Sequence, residues 1–203
     1  TRSNRPIEED QMTYQDLNVY RKNEIQDKHL KISEGIFGNM PIFSDIEFSI
    51  CGLCNRTCVF CPRHDPKIYP NQNLHMDLEL AELISVQLES VGFKGIVNIS
   101  GTGEATLTKY LSDMVKKFGD RNIHTEIVTN GDFLKPKLIS DLYSAGLKQL
   151  VVSMYDGPEQ IEYFNNLFDE CGIDEDLYTL RDRWYDEEED YGLIYTNRAG
   201  SMG

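Results

Sequence analysis

From residue 42 onward the chain shows short apolar runs that alternate with longer amphipathic stretches. Such alternation is typical of βα units arranged around a parallel sheet. The candidate strands span residues 46–50, 95–100, 125–129, 149–154 and 177–184. Each of the first four is followed by a stretch whose apolar residues recur at helical spacing, so we expect an α/β fold with helices between consecutive strands.

The predicted helices begin or end at residues that commonly cap helices. The first starts at Asp77 and the second ends near Gly119. The third has Pro136 in its first turn, and the fourth ends near Gly172. On the first helix, the residues expected to form one apolar face towards the sheet are Leu80, Leu83, Ile84, Leu88 and Val91.

Three segments are predicted along the chain. Residues 1–41 are polar with scattered apolar positions, and we expect them to form a helical arm on the main domain. Residues 42–185 hold the predicted βα units and form that main domain. Residues 186–203 begin with an acidic run, and we expect them to form a loop and a linker towards a further C-terminal region.

Polar residues of chemical interest fall where the predicted strands end. The carboxyl ends of parallel strands share one rim, and α/β sheets and barrels bind their ligands at that rim. The candidates there are three cysteines after the first strand, Gly103 and Glu104 after the second, Asn130 after the third, Ser153 in the fourth, and Arg181 and Arg183 in the fifth. Their common position predicts a single binding site.

Composition and charge exclude several classes of function. The formal net charge is −14, and non-specific nucleic-acid binding depends on Lys and Arg, so we expect no nucleic-acid partner. No apolar run approaches the roughly 18 residues of a membrane span, so we expect no membrane partner. The first ten residues lack the apolar core of a secretion signal, so the expected location is the cytoplasm, where thiols stay reduced.

Four of the five cysteines lie within residues 51–61, and such clustering points to metal or redox chemistry. Cys54, Cys58 and Cys61 have the spacing C-x3-C-x2-C, which can ligate three irons of a [4Fe-4S] cluster and leave the fourth iron open. Cys51 adds a fourth sulfur, so the alternative is a non-catalytic structural module with four cysteines around zinc or a closed iron-sulfur cluster. The short gap between the cysteine pairs disfavours zinc.

This motif, with Phe60 just before its last cysteine and a strand before its first, resembles the signature of the radical S-adenosylmethionine (SAM) superfamily. The resemblance covers roughly residues 42–183. It implies a partial (β/α)6 TIM-like barrel of parallel strands, with about five βα units in this chain. It also implies a [4Fe-4S] cluster on the three cysteines, with SAM chelating the fourth iron.

Other positions resemble the family residue by residue. Thr102-Gly103-Glu104 is similar to the family's Gly-Gly-Glu stretch with the first glycine replaced, which implies that Gly103 and Glu104 hold the SAM ammonium. Phe60 is implied near the adenine, and Ser153 at the ribose or carboxylate of SAM. Arg181 or Arg183 is a candidate cation for that carboxylate. Asn130 lies in a Thr-Asn-Gly stretch that recurs in the family, although Asn-Gly is equally a plain turn former.

The resemblance implies an enzyme that cleaves SAM reductively to methionine and a 5'-deoxyadenosyl radical, which abstracts hydrogen from a peptide, protein or small-molecule substrate. An external electron donor of the flavodoxin or ferredoxin type is the implied protein partner. Residues 196–200 resemble the linker into the C-terminal SPASM or twitch region of one subgroup, which binds auxiliary clusters. We therefore expect an oxidoreductase or maturase of that subgroup, and a chain that is a fragment of a longer enzyme.

Overall fold

A computed structural model of the chain describes residues 43–184, and five strands lie within this range. The strands are β1 (Asp45–Phe48), β2 (Ile96–Ile99), β3 (His124–Thr129), β4 (Gln149–Met154) and β5 (Tyr178–Asp182). They form one sheet in the order β1-β2-β3-β4-β5, and every neighbouring pair is parallel. The predicted α/β class with a parallel sheet is confirmed.

Four helices join consecutive strands. They are α1 (Leu78–Ser90), α2 (Leu111–Gly119), α3 (Pro136–Ser144) and α4 (Glu159–Glu170). Because parallel crossovers are right-handed and the strands follow in sequence order, all four helices lie on one face of the sheet, as in an arc of a (β/α) barrel. None of the described helices has the length and apolar character needed to cross a bilayer.

The described residues hold four complete βα units and a fifth strand. The predicted arm at 1–41 and the predicted linker at 186–203 lie outside the described residues. The domain boundaries proposed from the sequence therefore stay predictions.

The helix ends follow the local sequence signals. Asp77 caps α1, and its side chain accepts a hydrogen bond from the Leu80 backbone N–H at 2.7 Å. Pro136 occupies the first turn of α3, where the missing N–H is not needed. Gly172 follows α4 with a φ of 67°, a left-handed conformation that favours glycine.

The predicted apolar face of α1 is confirmed for Ile84 and Leu88, which pack on the core, and is wrong for its other three residues. Leu80, Leu83 and Val91 are exposed, whereas the buried residues of the helix include Ala81 and Ser85. Ala81, Ile84, Ser85 and Leu88 follow the spacing i, i+3, i+4, i+7, so they form the stripe that faces the protein. The small side chains of Ala81 and Ser85 let the helix approach its neighbours closely, so the buried stripe does not coincide with the largest apolar residues.

The two faces of the sheet differ sharply in polarity. On the helix side, residues such as Val97, Ile99 and Ile127 belong to the hydrophobic core. Successive side chains of a strand point to opposite faces, so the other face carries a polar row across four strands. That row consists of Glu47, Asn98, Glu126 and Gln149, which are aligned in register. The inner side of the arc therefore carries one polar row between apolar residues such as Ile96 and Val151, which alternate onto the same face.

Candidate active site

Cys54, Cys58 and Cys61 lie on the loop that links β1 to α1. The loop turns tightly around them, because the backbone N–H of Cys61 donates to the Cys58 carbonyl at 2.9 Å. The backbone N–H of His64 donates in turn to the Cys61 carbonyl at 2.9 Å, within a short 3-10 turn. Cys58 is buried, and Cys54 and Cys61 are half-buried. One short segment therefore presents all three thiols at the carboxyl end of β1.

The three thiols are close enough to influence one another's ionisation. Burial raises the pKa of the Cys58 thiol to about 11, and the neighbouring Cys54 and Cys61 add to that rise. Burial is also the main cause of the raised pKa of Cys54. Within residues 43–184, no group of three or more His, Cys, Asp or Glu side chains has the arrangement that holds a single metal ion.

The donor set fits an iron-sulfur cluster. Three soft sulfur donors on one loop are what a [4Fe-4S] cluster with one open iron requires, and Cys54, Cys58 and Cys61 would hold it. Metal binding must displace the thiol protons, and the charge of the bound metal favours that loss. A raised thiol pKa in the metal-free chain is therefore compatible with this role.

Cys51 is set apart from these three thiols. Only 4% of its surface is exposed, and it packs with the hydrophobic core. Its Sγ accepts a hydrogen bond from the Leu53 backbone N–H at 3.3 Å. Cys51 thus behaves as a small core residue, and the four-cysteine structural module is not favoured. Cys171 lies at the end of α4, half-buried against the core.

Arg63 is buried inside the cysteine loop and ties its parts together. Its guanidinium donates to the Gly52 carbonyl at 2.8 Å, to the Asn71 side-chain oxygen at 2.8 Å and to the Thr102 carbonyl. Asn71 also accepts from the Cys54 backbone N–H at 2.9 Å. One arginine thereby fixes the backbone at the first cysteine and joins the loop to the turn after β2.

Gly103 lies against the backbone of the cysteine loop. A Cβ atom placed on Gly103 would come within 1.9 Å of the Cys51 carbonyl oxygen, so only glycine fits there. The next residue, Glu104, donates its backbone N–H to the Leu53 carbonyl at 2.7 Å. The turn after β2 and the cysteine loop are therefore packed backbone to backbone.

The Glu104 carboxylate is held by four hydrogen bonds and is 3% exposed. Oε1 accepts from the Thr106 backbone N–H at 3.1 Å, the Thr106 hydroxyl at 2.6 Å and the Thr129 hydroxyl at 2.7 Å. Oε2 accepts from the Asn130 backbone N–H at 2.9 Å. The carboxylate is thus fixed in place between β2 and β3, and its contact with the SAM ammonium stays a prediction.

Arg56 clasps the cysteine loop to the loops after β3 and β4. Its Nε and Nη2 donate to the two carboxylate oxygens of Asp132 at 2.7 and 2.5 Å. Its Nη1 and Nη2 donate to those of Asp156 at 2.6 Å each. Hydrogen bonding to Arg56 lowers the pKa of the Asp156 carboxyl. Charge-assisted bidentate pairs of this kind are both strong and geometrically specific.

Asn130 extends the same clasp. Its side-chain N–H donates to the Asn55 oxygen at 2.8 Å, and its own oxygen accepts from the Asp132 backbone N–H at 3.0 Å. The predicted site residue Asn130 therefore lies beside the cysteine loop, and in this structure its contacts are with protein groups. Sequence reasoning missed Arg56, Arg63, Asp132 and Asp156, although two of them lie within or just after the cysteine motif.

The remaining predicted residues meet at the ends of β4 and β5. The rings of Phe60 and Tyr155 are stacked with centroids 5.8 Å apart. Arg181 donates to the Ser153 hydroxyl at 3.0 Å, and the backbone N–H of Arg183 donates to the Met154 carbonyl at 2.8 Å. Burial raises the pKa of the Tyr155 hydroxyl. The structure thus gathers these side chains at one rim, and their assignment to SAM stays a prediction.

Comparisons with known proteins agree with this geometry. The SAM-dependent 2-deoxy-scyllo-inosamine dehydrogenase of Niallia circulans is 30% identical over 165 residues, which is 79% of this chain and 61% of that protein. The GTP 3',8-cyclase of Campylobacter jejuni is 34% identical over 113 residues, which is 54% of this chain and 34% of that protein. The chain therefore spans less than two thirds of the length of these curated relatives.

A solved structure is similar as well. The crystal structure of BtrN in complex with AdoMet and 2-DOIA superposes with a TM-score of 0.61 at 29% identity, covering 70% of this chain and 58% of that one. A family profile described as the Radical SAM superfamily matches residues 48–169, which is more than half of the chain. A [4Fe-4S] cluster and SAM are the cofactors that this family implies. The chain belongs to the radical SAM superfamily.

Proposed function

We propose that this chain is the SAM-cleaving core of an oxidoreductase that abstracts a hydrogen atom from a small hydroxylated substrate. The observation that supports the proposal best is the loop that presents three thiols at the rim of a parallel sheet. That loop is fixed to the strand ends by Arg56, Arg63 and Gly103. A loop held this way keeps the positions of its ligands, which a reaction through a reactive radical requires.

Cys54, Cys58 and Cys61 would hold the cluster, which would supply the electron for reductive cleavage of SAM and so the means to take a hydrogen atom from the substrate. The residues of the chain bind and orient the reactants. Glu104 offers a fixed carboxylate suited to the SAM ammonium, and Arg181 or Arg183 offers a cation suited to its carboxylate. Ser153 is proposed at the ribose or carboxylate, and Phe60 near the adenine.

Partners and location are part of the same proposal. An external flavodoxin or ferredoxin is proposed to deliver the electron in the cytoplasm. A C-terminal SPASM or twitch region with auxiliary clusters is proposed for the whole enzyme, because residues 196–200 resemble the linker that leads into it. These residues lie outside the described part of the chain.

The small-molecule part of the predicted substrate range is favoured by similarity. The Niallia circulans relative, at 30% identity, is named for the dehydrogenation of 2-deoxy-scyllo-inosamine. BtrN, at 29% identity, was crystallised with AdoMet and 2-DOIA. The proposed substrate is therefore a compact molecule that carries hydroxyl or amine groups.

The test is anaerobic reconstitution of the chain with iron and sulfide, followed by dithionite reduction in the presence of SAM. We expect the wild type to form 5'-deoxyadenosine and the Cys58→Ala variant to form none, because it lacks one iron ligand. Cys171→Ala is the matched control, since this half-buried cysteine lies at the end of α4. It should keep the wild-type rate.

A wild-type chain that binds zinc, stays colourless and forms no 5'-deoxyadenosine would overturn the proposal. Equal product from wild type and Cys58→Ala would do so too. The substrate class is tested by adding 2-deoxy-scyllo-inosamine and measuring whether 5'-deoxyadenosine formation increases.

A further inference from the structure

We propose that Asn98 and Ser100, at the carboxyl end of β2, form a subsite that binds a hydroxyl or amine group of the substrate. The inference deepens the proposed function and rests on it. Asn98 and Ser100 belong neither to the cysteine motif nor to the residues proposed to bind SAM.

Both side chains face the inner side of the arc. Val97 and Ile99 belong to the core on the helix side, so Asn98 and Ser100, which alternate with them, point to the opposite face. The backbone N–H of Ser100 donates to the Phe48 carbonyl at 3.0 Å, which continues the pairing of β2 with β1. Ser100 is also close in sequence to Gly103, the glycine that packs on the cysteine loop. The proposed subsite therefore lies near that loop.

Each side chain carries a buried acceptor without a partner. Asn98 is 8% exposed and Ser100 is 6% exposed, and neither Asn98 Oδ1 nor Ser100 Oγ has a hydrogen-bond partner in the described part of the chain. Folded proteins satisfy nearly all of their buried polar groups, because an unpaired one loses its contacts with water and gains nothing in return. A ligand that donates hydrogen bonds would supply the missing partners.

The charged residues around Asn98 determine which ligand charge is favoured there. Glu47 and Glu126 flank Asn98 in register on the neighbouring strands. Neighbouring strands lie about 4.8 Å apart, so two carboxylates border the subsite. His124 Nε2 lies 3.0 Å from Glu126 Oε1. The unpaired acceptors of Asn98 and Ser100 suit ligand groups that donate hydrogen bonds, such as hydroxyl groups or an ammonium, and the flanking carboxylates disfavour a phosphate.

The proposal therefore separates two kinds of substrate found among the relatives. A hydroxylated amine such as 2-deoxy-scyllo-inosamine fits the unpaired acceptors. A nucleoside triphosphate such as GTP fits them less well, since any phosphate placed at Asn98 would meet the Glu47 and Glu126 carboxylates. The geometry points to substrates of the first kind.

The experiment measures binding of these two compounds to the reconstituted chain with SAM under anaerobic conditions, by calorimetry. We expect 2-deoxy-scyllo-inosamine to bind and GTP to bind at least tenfold more weakly. Asn98→Leu and Ser100→Ala should each weaken binding of the aminocyclitol about tenfold, the effect of losing one hydrogen bond. Ser85→Ala is the matched control, because Ser85 is a buried serine on the helix side whose hydroxyl donates to the Glu82 carbonyl at 2.8 Å.

A second readout separates a binding role from a structural one. If Asn98 and Ser100 serve the ligand, their replacement by apolar residues removes an unpaired acceptor, so the melting temperature without substrate should stay level or rise. A fall in melting temperature larger than that of Ser85→Ala, with unchanged affinity, would overturn the inference. Tight GTP binding, or no binding of the aminocyclitol to the wild type, would also overturn it.

The two proposals fail in different ways. Absence of 5'-deoxyadenosine from the dithionite-reduced wild type refutes the proposed SAM chemistry. Normal SAM cleavage by the wild type, together with variants that bind the aminocyclitol as the wild type does, refutes the subsite alone.

Discussion

Replacing Arg56 with methionine tests whether the clasp holds the cysteine loop. Methionine keeps much of the length and apolar character of the side chain while removing the charge and all four hydrogen bonds to Asp132 and Asp156. We expect the reconstituted variant to bind less iron per chain and to melt at a lower temperature, because the loop loses its tie to β3 and β4.

The expected loss of unfolding free energy in Arg56→Met follows from how exposed Arg56, Asp132 and Asp156 are. The side chains of Arg56 and Asp132 are 20% and 24% exposed, whereas that of Asp156 is 53% exposed. The Asp156 pair is screened by solvent and contributes roughly 0–1 kcal/mol. The more buried Asp132 carboxylate loses a bidentate partner, which costs about 1–3 kcal/mol. A total of about 2–3 kcal/mol corresponds to a fall of roughly 5–10 °C in the melting temperature of a domain of this size.

The assay is thermal unfolding combined with iron and sulfide analysis after anaerobic reconstitution. Lys137→Met is the matched control, since Lys137 forms a single, highly exposed ion pair with Asp141 at 2.7 Å and should shift melting by about 1–2 °C or less. An Arg56→Met variant with wild-type iron content and the same small shift as the control would refute the reasoning.

Three further predictions concern the same site. Gly103→Ala should lower the melting temperature by roughly 6–12 °C and reduce iron binding, because the new Cβ would come within 1.9 Å of a backbone oxygen and overpacking costs about 3 kcal/mol. Cys51→Ala should keep wild-type iron content while Cys58→Ala loses it, and equal loss in both would restore the four-sulfur site. Asp156→Asn should destabilise the metal-free chain by a constant amount above about pH 5. Because the folded-state pKa of Asp156 is lowered, that difference should shrink as the pH falls through it in urea unfolding series, and a difference independent of pH would contradict the clasp.

The bounds of a strand could be predicted from the sequence where all of its residues are buried. β4 (Gln149–Met154) matches the predicted range because all six residues are buried and the run is bounded by polar turns. β1 begins one residue before the predicted range and ends two residues before it, because the apolar residue Ile50 belongs to the cysteine loop and is buried there without being in the strand. Local hydrophobicity reports burial, and burial is not confined to regular structure.

The cysteine ligands could be recognised from spacing, whereas the groups that fix them could not. Arg56 is separated from Asp132 by 76 residues and from Asp156 by 100. Asp132 and Asp156 each follow a strand in a segment that also reads as an ordinary turn. Only the order of the strands brings the three side chains together, so this part of the site required the tertiary structure.

The charges around the thiols also bear on which cofactor the site suits. Burial is the largest cause of the raised pKa of Cys54, and the Glu104 carboxylate raises it further, whereas a backbone hydrogen bond and the Arg63 guanidinium lower it. Glu104 and Arg63 are both held in place by hydrogen bonds to neutral protein groups. A cluster on three thiolates would add negative charge beside the rigid Glu104 carboxylate, and a bound cation would relieve that repulsion together with Arg63. The ammonium of SAM is a cation of that kind, which is a physical reason to keep Glu104 as its predicted partner.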